Sequence, residues 1–118
     1  MSIVKLSADQ FDGYVAENVL SVIEFSAGWC APCQSFAKVL DSISEEFEDF
    51  SFATVDIDSE KALAEEFGIH SVPFVMILKN STIIYAEAGA ISRSALKDLL
   101  QQARDVSDAL IDDDADRS

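Results

Sequence analysis

Positive charge is scarce in this sequence. Eight Lys and Arg stand against 22 Asp and Glu, which leaves a formal net charge of −14. Nucleic-acid binding needs a basic footprint to neutralise phosphates, so that class is set aside. Docking on an anionic membrane surface is set aside for the same reason. Long apolar runs are missing too. The longest, Val72 to Leu78, has seven residues, where a membrane span needs roughly 20. The start, Met1 to Leu6, shows no basic stretch followed by an apolar segment, so no secretory signal is read there. The expected compartment is a reducing cytoplasm. Cysteine is limited to Cys30 and Cys33, and His70 is the sole histidine. Zinc wants about four ligands, so one chain does not supply a zinc site, although a cluster bridging two subunits stays open. A close cysteine pair in a reducing compartment points to catalysis or metal binding rather than to a structural staple.

What is present fits one ordinary domain. The chain has 118 residues, of which 49% are hydrophobic, enough for a core and too many for a disordered chain. Strand and helix signals alternate along it. Ile3 to Leu6 reads as a short strand. Ser7 with Gln10 three residues on makes a capping box before a helical face of Phe11, Tyr14 and Val15. Val19 to Phe25 reads as a strand buried on both faces. After Pro32 the residues Phe36, Val39, Leu40, Ile43 and Phe47 recur at helical spacing. Phe50 to Ile57 is the next strand. Ser59 is expected to cap a short helix holding Leu63 and Phe67, with Gly68 as its stop. Phe74 to Leu78 and Thr82 to Tyr85 are strands joined through Lys79-Asn80-Ser81, where Asn tolerates a left-handed turn. Ser92 caps a last helix carrying Leu96, Leu99, Leu100 and Ala103.

The order β-α-β-α-β-α-β-β-α predicts an α/β fold. Strands separated by helices pair in parallel and the hairpin pairs antiparallel, giving a mixed five-stranded sheet with four flanking helices. The domain is expected to span residues 1–105. Residues 106–118 read as a solvated, flexible acidic tail, with Asp112-Asp113-Asp114-Ala115-Asp116 near its end.

The segment Phe25-Ser26-Ala27-Gly28-Trp29-Cys30-Ala31-Pro32-Cys33 lies between a buried strand and an amphipathic helix. The first cysteine of such a turn meets the free N–H groups and positive end of the helix, which favour a thiolate. Cys33, one turn on, is within disulfide reach. Pro32 fits the first helical turn, where its missing N–H costs nothing. This arrangement permits thiol–disulfide exchange: an exposed Cys30 attacks a substrate disulfide, and Cys33 then resolves the mixed disulfide.

Trp29-Cys30-Ala31-Pro32-Cys33 resembles the W-C-G-P-C active-site motif of the thioredoxin family. Phe67-Gly68-Ile69-His70-Ser71-Val72-Pro73 resembles the segment ending at that family's cis-proline, and Gly89 matches the glycine after its last strand. The resemblance implies a thioredoxin fold and a protein disulfide reductase. It implies Cys30 as nucleophile, Cys33 as resolving thiol and Pro73 as the cis-proline. It further implies that Val72 offers its backbone to an extended substrate and that Trp29, Ala31, Pro32, Val72 and Ala90 form an apolar collar, with Gly89 beside them. Glu24, in the middle of an apolar strand, stands where the family keeps a buried acid. Burial should raise its pKa, and the resemblance suggests general-base help to Cys33.

Six positions depart from the family pattern or are left with lesser roles. Thr54 stands where many members have a lysine near the buried acid, Ser26 replaces a common aromatic, and Ala31 replaces Gly within the motif. His70 reads as an exposed loop histidine, and Asp56 and Asp58 as solvated or capping residues with no catalytic part. The implied partners are disulfides in other proteins and an NADPH-dependent flavoenzyme, thioredoxin reductase. No tightly bound cofactor and no metal is expected, and the chain is expected to act as a monomer. A competing reading is an adaptor or folding helper that binds basic clients through the acidic surface.

Overall fold

The computed structural model of the protein describes residues 3–106. Its centre is the strand with the strongest apolar signal. Five strands form one sheet in the order β1-β3-β2-β4-β5: β1 (Ile3–Lys5), β3 (Ser51–Asp56), β2 (Leu20–Ser26), β4 (Phe74–Lys79) and β5 (Thr82–Ala88). The first three run parallel, and β4 and β5 run antiparallel to their neighbours. The helices α1 (Ala8–Glu17), α2 (Ala31–Glu46), α3 (Lys61–Glu66) and α4 (Arg93–Asp105) cover its faces. The expected architecture is the one observed.

Alternation along β2 explains the two layers. Ile23 and Phe25 point to one side, where they join Ala53, Val55, Met76 and Leu78 against Phe11 and Val15 of α1 and Leu63 of α3. Val22 points to the other, where it joins Phe52, Val75 and Ile77 against Phe36, Leu40 and Ile43 of α2 and Leu96 and Leu100 of α4. Each fully buried side chain of this size contributes roughly 1.5–3 kcal/mol. Glu24 shares the Val22 side. In register it lies beside Thr54 on one neighbour and Val75 on the other.

Local signals explain most boundaries. The Gln10 side-chain oxygen accepts the Ser7 N–H at 3.1 Å, the returning half of the capping box. Ser92 Oγ accepts the Ala95 N–H at 3.2 Å. After α3, Gly68 has φ 66°. Its N–H donates to the Glu65 carbonyl and that of Ile69 to Ala64, so a left-handed residue ends the helix. Asn80 and Ser81 both have positive φ, 51° and 67°, and turn the β4–β5 hairpin without glycine.

Two boundaries differ from expectation. Ser59 does not cap α3; Glu60 is the N-cap residue. The Asp56 carboxylate accepts the N–H groups of Asp58 and Ser59, winding a turn that delays the helix to Lys61. The Glu60 carboxylate instead accepts the Ala8 N–H at the start of α1, at 2.8 Å. Strand β5 runs past Tyr85 to Ala88, because β4 continues to supply partners up to Phe74 and a register shift after Ile77 keeps the pair in step.

Helix α4 is tied down by charge. Glu46 pairs with Arg93 and Lys97, and Arg104 grips Asp49 with two N–H bonds of 2.7 and 2.6 Å. Lys79 donates to the carbonyls of Ala103, Arg104 and Val106 at the carboxyl end of α4, where a cation is favoured. Among the described residues no helix is long and apolar enough to cross a membrane. The acidic stretch after Val106, read as a tail, lies outside the described residues.

Candidate active site

The carboxyl ends of β2 and β3 and the start of β4 meet at one end of the sheet. Phe25, near the end of β2, is wedged edge-on between the rings of Phe67 and Phe74. That packing supports the loop that follows. The Cys30 N–H donates to the Ala27 carbonyl at 3.1 Å and closes the loop into a turn. Cys30 is then the N-cap residue of α2, with Pro32 in the first turn. Its sulfur accepts the Cys33 N–H at 3.1 Å. The helix therefore presents a free donor and its positive end to this sulfur, the environment that lowers a thiol pKa. Cys30 and Cys33 are joined as a disulfide with Cα atoms 5.3 Å apart.

Cys30 is only 4% exposed, which corrects the expectation of an exposed sulfur. The disulfide covers one side, and Ala27, Ile57 and Val72 close on the rest. Of the expected collar, one residue packs on the cysteines and the others stand at the surface. Val72 packs against the cysteines as anticipated. Ile57 and Ala27, not singled out from the sequence, do so as well. Ala31, Pro32 and Ala90 are exposed. Trp29 stands out into solvent at 69% exposure, and its indole N–H donates to the Asp58 carboxylate at 2.9 Å. Asp56 holds the loop that presents Asp58, so both aspartates have structural partners.

The Val72–Pro73 peptide bond is cis. The Pro73 carbonyl accepts the Gly89 N–H at 2.7 Å, bringing the segment after β5 beside the loop before β4. Gly89 has φ 110°, a conformation other residues avoid. His70 is exposed on that loop.

Glu24 lies beneath α2, on the sheet face that also carries Val22 and Val75. It is 1% exposed, and its Oε2 has no hydrogen-bond partner. Burial pushes its carboxyl up to about 7 from 4.5. Thr54, its register neighbour, supplies no charge. Among the described residues no group of three or more His, Cys, Asp or Glu is gathered as for a metal ion.

Comparison with known proteins places this geometry. The family model described as Thioredoxin matches residues 2–102. A Streptomyces coelicolor protein that carries the name thioredoxin 2 is 38% identical over 103 residues, 87% of this chain and 77% of its own. Thioredoxin of Buchnera aphidicola is 34% identical over 100 residues, 83% of this chain and 92% of its own. The solution structure of the oxidised thioredoxin from Plasmodium falciparum superposes with a TM-score of 0.78 at 30% identity, over 86% of this chain and 98% of that one. A mutant thioredoxin from Halobacterium salinarum gives 0.81 at 26% identity, over 86% and 89%. With a disulfide-forming cysteine pair at the head of α2 and a family match over nearly the whole described fold, the chain belongs to the thioredoxin family.

Proposed function

We propose that this thiol–disulfide oxidoreductase reduces disulfides in other proteins, with Cys30 as nucleophile and Cys33 as resolving thiol. The observation that carries the reading is the position of Cys30 at the N-cap of α2, bonded to a Cys33 that is itself buried. In the reduced state the Cys30 thiolate attacks one sulfur of a client disulfide. That S–S bond breaks, a client thiolate leaves and takes up a proton, and a mixed disulfide forms. Cys33 loses its proton and attacks the Cys30 sulfur. The second client thiol departs, and two electrons have moved from the cysteine pair to the client.

Glu24 is the candidate acceptor of the Cys33 proton. Its carboxyl titrates about 7 and shares the face on which α2 packs, which suits a base acting through water near neutral pH. Val72 and cis Pro73 offer backbone to an extended client segment, with Gly89 and Ala90 beside them and Trp29, Ala31 and Pro32 at the rim. Thioredoxins need no bound cofactor for this exchange. The electrons return from a thioredoxin reductase, an NADPH-dependent flavoenzyme, in a cytoplasmic electron-transfer role for a monomeric protein. An adaptor role alone would not require the intact cysteine pair.

The test is reduction of insulin disulfides with dithiothreitol as electron source. Wild type should accelerate precipitation, and Cys30→Ser should reduce the rate to background. Cys33→Ser should accumulate mixed disulfides on non-reducing gels. No acceleration by wild type overturns the reductase reading.

A further inference from the structure

We infer that Trp29 and Asp58 together form a subsite for a basic side chain beside the reactive cysteines, so that disulfides flanked by Arg or Lys are preferred clients. The inference rests on the reductase reading above and names its substrate class. Trp29 is the most exposed large apolar side chain among the described residues. It directly precedes Cys30, so a client disulfide must approach across its surroundings to reach the sulfur.

The ring is held in place. Its indole N–H donates to Asp58 Oδ2 at 2.9 Å. The Asp58 backbone N–H in turn donates to Asp56 Oδ1 at 2.8 Å. The carboxylate thus sits at the ring edge while the ring itself stays open to solvent. Indole offers the strongest cation–π face of the aromatic side chains. A carboxylate hydrogen-bonded at its N–H pushes electron density toward the ring, and its charge adds a direct attraction. A guanidinium lying on the ring therefore meets two favourable fields at one place.

The charged residues flanking Asp58 in the chain are mostly acidic. Asp56 ends β3, and Asp58 and Glu60 follow it ahead of Lys61. Lys5 lines a cavity of about 350 Å³ together with Asp56 and Glu60. Arg93, Lys97 and Arg104 are bound to Glu46 and Asp49 at the carboxyl end of α2, opposite the end that carries Cys30. Asp58 is left as the carboxylate at the exposed ring. A basic residue next to a client cysteine is the complement of this pair.

Three short cyclic disulfide peptides of otherwise one sequence separate this local subsite from the long-range pull of the net charge. The first has Arg next to a cysteine, the second has Glu there, and the third has Gln there with the Arg moved to the distant end. At low ionic strength kcat/KM should be about three- to ten-fold higher for the first than for the second, with the third well below the first. Asp58→Asn, which keeps an acceptor for the indole, and Trp29→Leu, which keeps apolar bulk, should each reduce that ratio. The ratio, not the rate, is the readout. Equal kcat/KM on the first two peptides overturns the inference. So does an equal value on the first and third, which assigns the effect to net charge, or a ratio unchanged in both variants. Failure to reduce all three overturns the reductase reading and this inference with it.

Discussion

The seam between α2 and α4 and the cysteine end of the sheet treat polar groups in opposite ways. At the seam, charges are matched. Glu46 meets Arg93 and Lys97, and Asp49 meets Arg104, whose guanidinium also lies 4.6 Å from the Phe47 ring centre. Arg104 holds the Asp49 carboxyl below its ordinary range. At the cysteine end a carboxylate is buried with one oxygen unpartnered, and a tryptophan is left in water. The first region is arranged for cohesion. The second keeps groups in environments they would not choose, and those groups are the ones free to take a proton or a client. Glu24 and Asp49 make the contrast in one pair: the same carboxyl chemistry, pushed up by burial in one place and down by a cation in the other.

The sharpest attempt to break this contrast is Leu100→Ala, in the core beneath the seam. Loss of a fully buried leucine should lower unfolding free energy by about 2–5 kcal/mol in denaturant titrations, while the folded fraction keeps its exchange activity. A loss of activity in the folded fraction would show that the two regions are not separable.

Glu24→Gln is next. In the oxidised protein the folded carboxyl titrates about 7 against 4.5 for an unperturbed one. The folded state then holds the proton more tightly than the unfolded state between those values. Stability is therefore full below about pH 4.5 and is lost as pH rises to about 7, by roughly 3 kcal/mol in all. Gln does not titrate, so urea titrations across that window should show this decline reduced relative to wild type. The same variant should slow resolution of mixed disulfides at neutral pH and flatten its pH–rate profile. An unchanged profile would leave Glu24 a merely buried residue.

The smallest expected effect is at the surface of the seam. Glu46→Ala removes two exposed ion pairs and should cost about 0.5 kcal/mol, with the difference fading at high salt. A larger loss that fades with salt would mean that the seam is held by charge rather than by Leu96 and Leu100.

Much of this was legible in the chain because the signals are local. Apolar runs and helical spacing marked the elements, and Asn80-Ser81 marked the hairpin. The cysteine turn was readable because a strand, two cysteines, a proline and an amphipathic helix follow one another without a gap. What escaped depended on contacts distant in sequence. Glu60 rather than Ser59 begins α3, and its carboxylate serves α1, 52 residues away. Ile57 closes on the sulfurs only because β3 ends beside β2. Asp58 looked like one more solvated acid until the fold carried it to Trp29, 29 residues back.

The sequence by itself determined the chemistry of this protein: one acidic domain, two cysteines and a helix start that favours a thiolate. Those features follow from residue type and near-neighbour spacing, which a linear chain displays. Only the tertiary structure decided how closed Cys30 is, which side chains surround it and which acid faces Trp29. It also put Glu24 and α2 on one face of the sheet, with burial alone shifting the carboxyl among the described residues. Burial and long-range hydrogen bonds set those outcomes, and both arise only when strands far apart in the chain become neighbours.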